Sequence, residues 1–552
     1  MNMKRNISKL LIGVCLSSSM LINTGCIEET FPTNAATEDQ VTSSEEAAGA
    51  MLWSMHAMLN TYAIDVDRSR HFDWGYGSIM HIRDVQTGDM PISSSGYDHY
   101  WPWEENIYQG ESYIYNQFVW NFYWRNVLAA NKLLAAFPLE TSSNVEKGYV
   151  GAAHAFRALM YLDMARMYEY LPTDGTSMPN DAGNDVTNLT VPIVTEKTTE
   201  EESYNNPRVT REKMAEFILS DLQAAEENIV YLTESSRALP HLDAVYGLMA
   251  RYYMWLEDYP NAKTYARKAI DESKLKPMTQ EDCLSTSKGF NTLSCWIWGS
   301  QLVKENDVVQ TGIVNWTSWM SNETSFGYAA QRVGGPYTMI DANMYSRIND
   351  NDFRKRMWKA PQGTALDGKT NFLTSANPKY GNFGTWLPSY ASVKFRPGEG
   401  NPDDVNLAAA IAYPLMRVEE MYFIEAEAAE HVAAGTGKVL LENFMNTYRL
   451  ANDAPEGTKY VCSVTDVVDE IIFQKRVELW GEGQTFFDIK RLDMPIDRTY
   501  KGSNFYSNTQ FKTTRRPAWM NFCIVQTEKN SNAALRGYET VSYTHLTLPT
   551  KA

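Results

Sequence analysis

The chain reads as mainly α: a scaffold of stacked helix pairs with long loop-rich insertions and few short strands. Three observations predict this. Apolar residues recur every three to four positions in many separate segments, the spacing of one helix face. A stripe of small residues, Ala262, Ala266 and Ala269, follows a second such segment across Tyr259-Pro260. Two long stretches, about 65–115 and 279–406, carry many aromatics but little periodicity.

In chain order, a helix is expected over 42–62, where Ser43 and Glu46 have capping-box spacing and Met51, Met55, Met58 and Leu59 share a face. Further helices are expected over 117–137 and 150–170, each followed by a proline signal, Pro138 and Pro172. Another runs over 210–229. Tyr246, Met249, Ala250 and Tyr253 then line one face before the break at Pro260, and the alanine stripe follows. Small residues at that spacing let two antiparallel helices approach closely, as in a tetratricopeptide repeat. Helical patterns close the chain at 414–433, 439–450 and 465–481. Helix pairs bury their faces only against neighbours, so a tetratricopeptide-like scaffold is expected to stack them in series.

The chain has 552 residues, 44% of them hydrophobic, which is ample for a large core. Its formal net charge of −17 excludes the basic stripe that nucleic-acid binding requires. The same charge opposes adsorption to anionic lipid headgroups. Cys283, Cys295, Cys462 and Cys523 are too sparse for a disulfide-built scaffold, and they read as small buried hydrophobes with one bridge, Cys283 to Cys295, to be tested. The two insertions are too aromatic for disorder, and loops of that length usually work for their living.

The N-terminus carries Lys4-Arg5, an apolar run from Leu10 to Ile22, and small Gly25 before Cys26. This is the layout of a secretory leader, too short and Ser-rich to stay in a bilayer. Leu21 to Cys26 resembles the lipobox of bacterial lipoproteins, with Asn23 departing from the usual Leu. That resemblance implies removal of residues 1–25, acylation of Cys26 and a lipid-anchored protein. Glu28 and Glu29 resemble a surface-export signal of Gram-negative lipoproteins. Residues 541–552 resemble a translated sequencing adapter and are set aside from fold reasoning.

Several segments together resemble the SusD/RagB family of surface nutrient-binding lipoproteins. They are Arg157-Ala158 with Tyr161 and Leu171-Pro172; Arg208 to Ala225; Tyr413 to Glu420 with Ala426-Glu427-Ala428; Arg476 to Gly483 with Asp488 to Arg491; and Val525 to Glu528 with Tyr538. Ala152, Gln474 and Gln484 depart from the family pattern. The resemblance implies a single SusD-like domain over 26–540, an outer-membrane location, a glycan ligand and a SusC-like TonB-dependent transporter as partner. A peptide-binding, RagB-like uptake protein is the alternative, and a helical glycoside hydrolase a more distant one. The charged motifs themselves read as paired structural charges between helices, with Glu420 and Glu427 on one face and Arg476 or Arg491 facing them.

Candidate ligand contacts lie in the two insertions. Trp101 and Trp103 flank Pro102; in an extended segment their indoles would face one side as a platform. Arg83, Asp84 and Asn106 stand nearby in sequence, and Trp316 and Trp319 share a helical face in the second insertion. Flat aromatics match the apolar C–H faces of sugars, while amide, carboxylate and guanidinium groups satisfy hydroxyls. Trp296 and Trp298 alternate as in a strand, so at least one belongs to the core, as do Trp120 and Trp124. No metalloprotease, nucleophile-elbow, P-loop or dinucleotide motif occurs, and only 8 histidines are present. Neither enzyme activity nor a cofactor or metal is expected.

Overall fold

The computed structural model describes residues 45–63, 70–93, 96–172, 180, 182–328, 330 and 335–538. The leader, Cys26, Ser43 of the expected capping box and the tail 541–552 lie outside the described residues.

The packing described here lies within the unit that begins at Ala48. Its principal helices are α1 (Glu45–Met58), α2 (Tyr76–Val85), α3 (Trp101–Glu104), α4 (Ile114–Ala136), α5 (Asn144–Tyr168), α6 (Arg211–Asn228), α7 (Leu242–Trp255), α8 (Tyr259–Ser273), α9 (Trp316–Met320), α10 (Val418–Val432), α11 (Thr436–Tyr448), α12 (Val467–Glu478) and α13 (Thr485–Arg491). α5 starts at a full capping box, Ser143 with Glu146, so two of its first N–H groups are satisfied reciprocally. α8 begins at Asp258, with Pro260 in its first turn, where a missing N–H costs nothing.

The helices stack largely in chain order. α4 packs on α5, α5 on α6 and α7, α7 on α8, and α8 on α10; α10 then meets α11 and α12. Ala262, Ala266 and Ala269 are fully buried, so the expected small-residue seam is real. The fold is therefore mainly α and tetratricopeptide-like. One two-stranded antiparallel sheet joins β1 (Trp298–Gln301) to β2 (Ala412–Met416), with Ser300 opposite Tyr413.

Five expectations need correction. Pro414 to Met416 belong to β2, and the helix starts only at Val418, because residues 412–416 pair with β1. The stretch 65–115 contains α2, whose ten residues are all buried. Cys283 and Cys295 are free thiols. Cys295 is half-buried, whereas Cys283, Cys462 and Cys523 are buried, as read. Trp296 and Trp298 are both fully buried, and Trp120 is buried, but Trp124 is only half-buried.

Candidate aromatic binding face

α2 leads the chain into a loop whose local geometry decides which rings face outward. Tyr100 N–H donates to Asp98 Oδ1 (2.8 Å), and the chain then makes the single helical turn α3. Pro102, with its φ pre-set near the helical value, sits in that first turn. Residues two apart on a helix point roughly 200° apart, not to one side. Trp103 therefore turns inward, fully buried, while Trp101 stays half-exposed. The expected two-indole platform is not formed.

After α3 the backbone enters the left-handed region at Asn106 (φ 54°) and Tyr108 (φ 57°). For a bulky residue such as tyrosine this conformation is strained, and strain of this kind concentrates at functional sites. It holds Tyr108 outward, 43% exposed. Trp101 meets Tyr108 edge-on at 5.6 Å between ring centroids; Tyr113 lies 5.1 Å from Tyr108, and Tyr115 stacks at 6.4 Å. Tyr113 and Tyr115 are half-buried, and Tyr97 is 55% exposed.

A second group of rings adjoins through Phe72, which lies 5.3 Å from Tyr115. His71 stacks on His99 at 4.3 Å, and its Nδ1 hydrogen-bonds Tyr328 Oη. Burial lowers the pKa of both imidazoles, that of His99 to about 4 with further help from His71, so both rings are neutral at pH 7. Neutral imidazole both donates and accepts. Arg70, exposed, lies close enough to Tyr115 to oppose the upward push that burial gives its phenol.

Of the sequence-predicted contacts, Trp101 alone is a half-exposed ring on this face. Trp103, Trp316 and Trp319 are corrections: all three are buried. Trp103 lies edge-on beneath half-buried Tyr115 at 5.2 Å, and Trp319 stacks on Tyr328, itself buried, at 3.8 Å. Trp316 stacks on Tyr413 at 4.9 Å in the core. Arg83 is likewise buried, donating to Asp163 Oδ2 (2.8 Å), and Asp84 accepts from Gly483 N–H (2.9 Å); together they tie α2 to the helical scaffold. Asn106 is half-buried beside Tyr108, with both amide atoms enclosed and unbonded among the described residues. Sequence reasoning missed Tyr97, Tyr108, Tyr113, Tyr115, Tyr328, His71 and His99. The available signal was the run of tyrosines between Tyr97 and Tyr115, which contains more phenols than a loop needs for packing.

The loop is anchored from below. Arg498, fully buried, donates to the carbonyls of Val85, Thr87, Glu104 and Thr509, joining the ends of α2 and α3 to the C-terminal segment. Asp98 and Glu104 are neighbouring buried carboxyls; burial raises both, Asp98 to about 6. Glu105 accepts the Tyr506 hydroxyl at 2.7 Å. Among the described residues no group of three or more His, Cys, Asp and Glu side chains is placed to hold a metal ion. The face offers flat apolar rings bordered by neutral hydrogen-bonding groups, suited to a ligand with apolar faces and a polar rim.

The sequence matches two family descriptions: "SusD family" over residues 342–538 and "Starch-binding associating with outer membrane" over residues 40–254. A comparison with curated proteins finds no match. The fold is similar to a SusD-like carbohydrate-binding protein from Bacteroides vulgatus, with 20% identity, TM-score 0.67, and coverage of 89% of this chain and 96% of that one. A SusD superfamily protein from Bacteroides thetaiotaomicron gives 18% identity, TM-score 0.64, and coverage of 89% and 98%. Surface glycan-binding protein A from Bacteroides uniformis gives 15% identity, TM-score 0.61, and coverage of 91% and 100%.

Proposed function

Since the chain belongs to the SusD/RagB family, we propose that it is a glycan-binding lipoprotein that captures oligo- or polysaccharide and passes it to a SusC-like TonB-dependent transporter. The observation that carries the glycan reading is the contiguous ring surface of Trp101, Tyr108, Tyr113 and Tyr115 beside His71 and His99. Its faces suit sugar C–H surfaces, and its neutral imidazoles suit hydroxyls better than charges. The family description, starch-binding and associating with the outer membrane, supports the same reading. Binding, not catalysis, is the proposed role: of the carboxyls near the rings in sequence, Asp98 and Glu104 are buried, Glu105 accepts the Tyr506 hydroxyl and Glu111 pairs with Lys529.

The working protein is taken to be one SusD-like domain over 26–540, acylated at Cys26 and held at the outer surface. Among the described residues no helix is long and apolar enough to cross a membrane, so attachment is assigned to the lipid. Ligand held between this protein and the transporter would favour their closed arrangement only through its greater affinity for that state. Affinity for a single site of stacked rings is expected at about micromolar to millimolar Kd.

The test is retention of the protein in native gels containing candidate polysaccharides. Trp101→Ala and Tyr108→Ala are expected to lose retention while keeping the wild-type circular dichroism spectrum. Undiminished retention of both variants would reject this face as the glycan site.

A further inference from the structure

A second site lies within the helical scaffold and shares no residue with the aromatic face. A cavity of about 400 Å³ opens where the end of α5, the start of α6, the end of α7, α10, α12 and α13 converge. Its apolar wall is made by Leu171, Pro172, Met254 and Ile424 with the indole of Trp255. Its polar wall carries six cations and four carboxylates, an excess of positive charge within a chain of net charge −17.

Most of these charges are paired, but two guanidiniums are not saturated. Arg251 grips Glu420 with Nε (2.8 Å) and Nη2 (2.6 Å), leaving Nη1 without a hydrogen bond among the described residues. Arg166 donates through Nε to Leu162 O (3.1 Å) and through Nη2 to Asp163 (2.7 Å), and its Nη1 is likewise unbonded. Both side chains are at least nine-tenths buried. Arg166 is held below the usual guanidinium range by burial, with repulsion from Arg251 and Arg83 adding to it against the attraction of Asp163. A guanidinium fork is shaped for a carboxylate. Arg211, less buried, lies at the same cavity over the Trp255 ring (4.9 Å). Asn188, held at φ 60°, lines the cavity with no side-chain hydrogen bond among the described residues, and Gln484 lines it too.

We propose that this cavity binds a small carboxylate-bearing sugar, a single uronic acid residue, with its carboxylate on Arg166 and Arg251, its hydroxyls on Asn188 and Gln484, and its C–H face on the apolar wall. A bare inorganic anion would use the guanidiniums and leave the apolar wall idle. A neutral sugar would accept from the guanidiniums only through hydroxyl oxygens, in bonds about half as strong as those to a carboxylate.

The experiment is calorimetric titration of the full mature chain with D-galacturonate, D-glucuronate, D-galactose and inorganic phosphate. The expected result is saturable binding of at least one uronate, with galactose and phosphate at least ten-fold weaker. Phosphate binding as tightly as the uronates would overturn the sugar-acid assignment, as would equal binding of galactose or no binding of either uronate. Arg166→Gln is expected to weaken uronate binding about ten-fold. If that variant fails to fold, Asn188→Ala, a half-buried loop position, carries the same expectation, and an unchanged Kd overturns the proposal. Trp101→Ala should leave uronate affinity unaltered, which separates failure here from failure of the aromatic face.

Discussion

Trp101 and Trp103 are chemically identical and two positions apart, yet one half of α3 faces solvent and the other the core, so a single helical turn gives them different tasks. Between them and the scaffold sit Asp98 and Glu104, two neighbouring buried carboxyls. Burial raises the Asp98 carboxyl to about 6, above its unfolded value of about 3.9. A raised carboxyl contributes stability that is full below pH 4 and is lost as pH rises through 6. Asp98→Asn keeps the acceptor for Tyr100 N–H but cannot ionise. Its melting temperature is expected to match wild type near pH 4 and exceed it above pH 6.5. Melting curves that stay parallel across this range would remove the ionised Asp98 from the account.

Helix packing in this chain depends on where backbone can approach backbone. Gly148 and Gly151 lie three apart on α5, where the short helical turn Ile229–Tyr231 after α6 crosses it. A Cβ at Gly151 would stand 2.4 Å from Ile229 N and 2.7 Å from its Cα, a clash with main chain that no rotamer relieves. Gly151→Ala is expected to destabilise by about 1–3 kcal/mol, read by urea unfolding. Gly49 in α1 is the control, because its nearest neighbour would be Tyr149 Oη at 3.9 Å. There alanine is expected to stabilise by up to ~1 kcal/mol through helix propensity. Equal effects at the two positions would show that close approach, as opposed to propensity, is not what glycine supplies at 151.

Across the molecule, the segments near residues 350, 417, 449 and 480 are joined by one buried charge cluster. Glu478 accepts from Arg449 Nε (2.7 Å), Arg417 Nη2 (3.1 Å) and Arg354 Nη1 (3.1 Å), and Arg417 also reaches Glu482 (3.0 Å). Burial alone would raise the Glu478 carboxyl, but the guanidiniums of Arg449, Arg417 and Arg354 outweigh it and hold it far below the usual carboxylate range. Its contribution is therefore full above about pH 4.5 and is lost only in strong acid. Glu478→Gln leaves three buried guanidiniums short of one negative charge and is expected to cost about 3–5 kcal/mol at pH 7, measured by chemical denaturation. A loss below 1 kcal/mol would mean the cluster is hydrated enough to dispense with it.

The sequence by itself determined the helical class, the alanine seam of α8, the structural pairing of Glu420 and Glu427, and the family; of the two expected partners only Arg491 faces Glu427, while Glu420 pairs with Arg251 and Arg476 pairs with Asp89. Periodicity and opposite-charge residues on facing helices are local or short-range patterns, and such patterns survive in one dimension. Which rings meet solvent was decided only by tertiary structure. Trp316 and Trp319 lie in a short helix with Thr317 and Ser318 between them; contacts from Tyr413 and Tyr100, far away in the chain, bury them. Exposure depends on what distant segments place on top of a side chain, and no spacing rule carries that information.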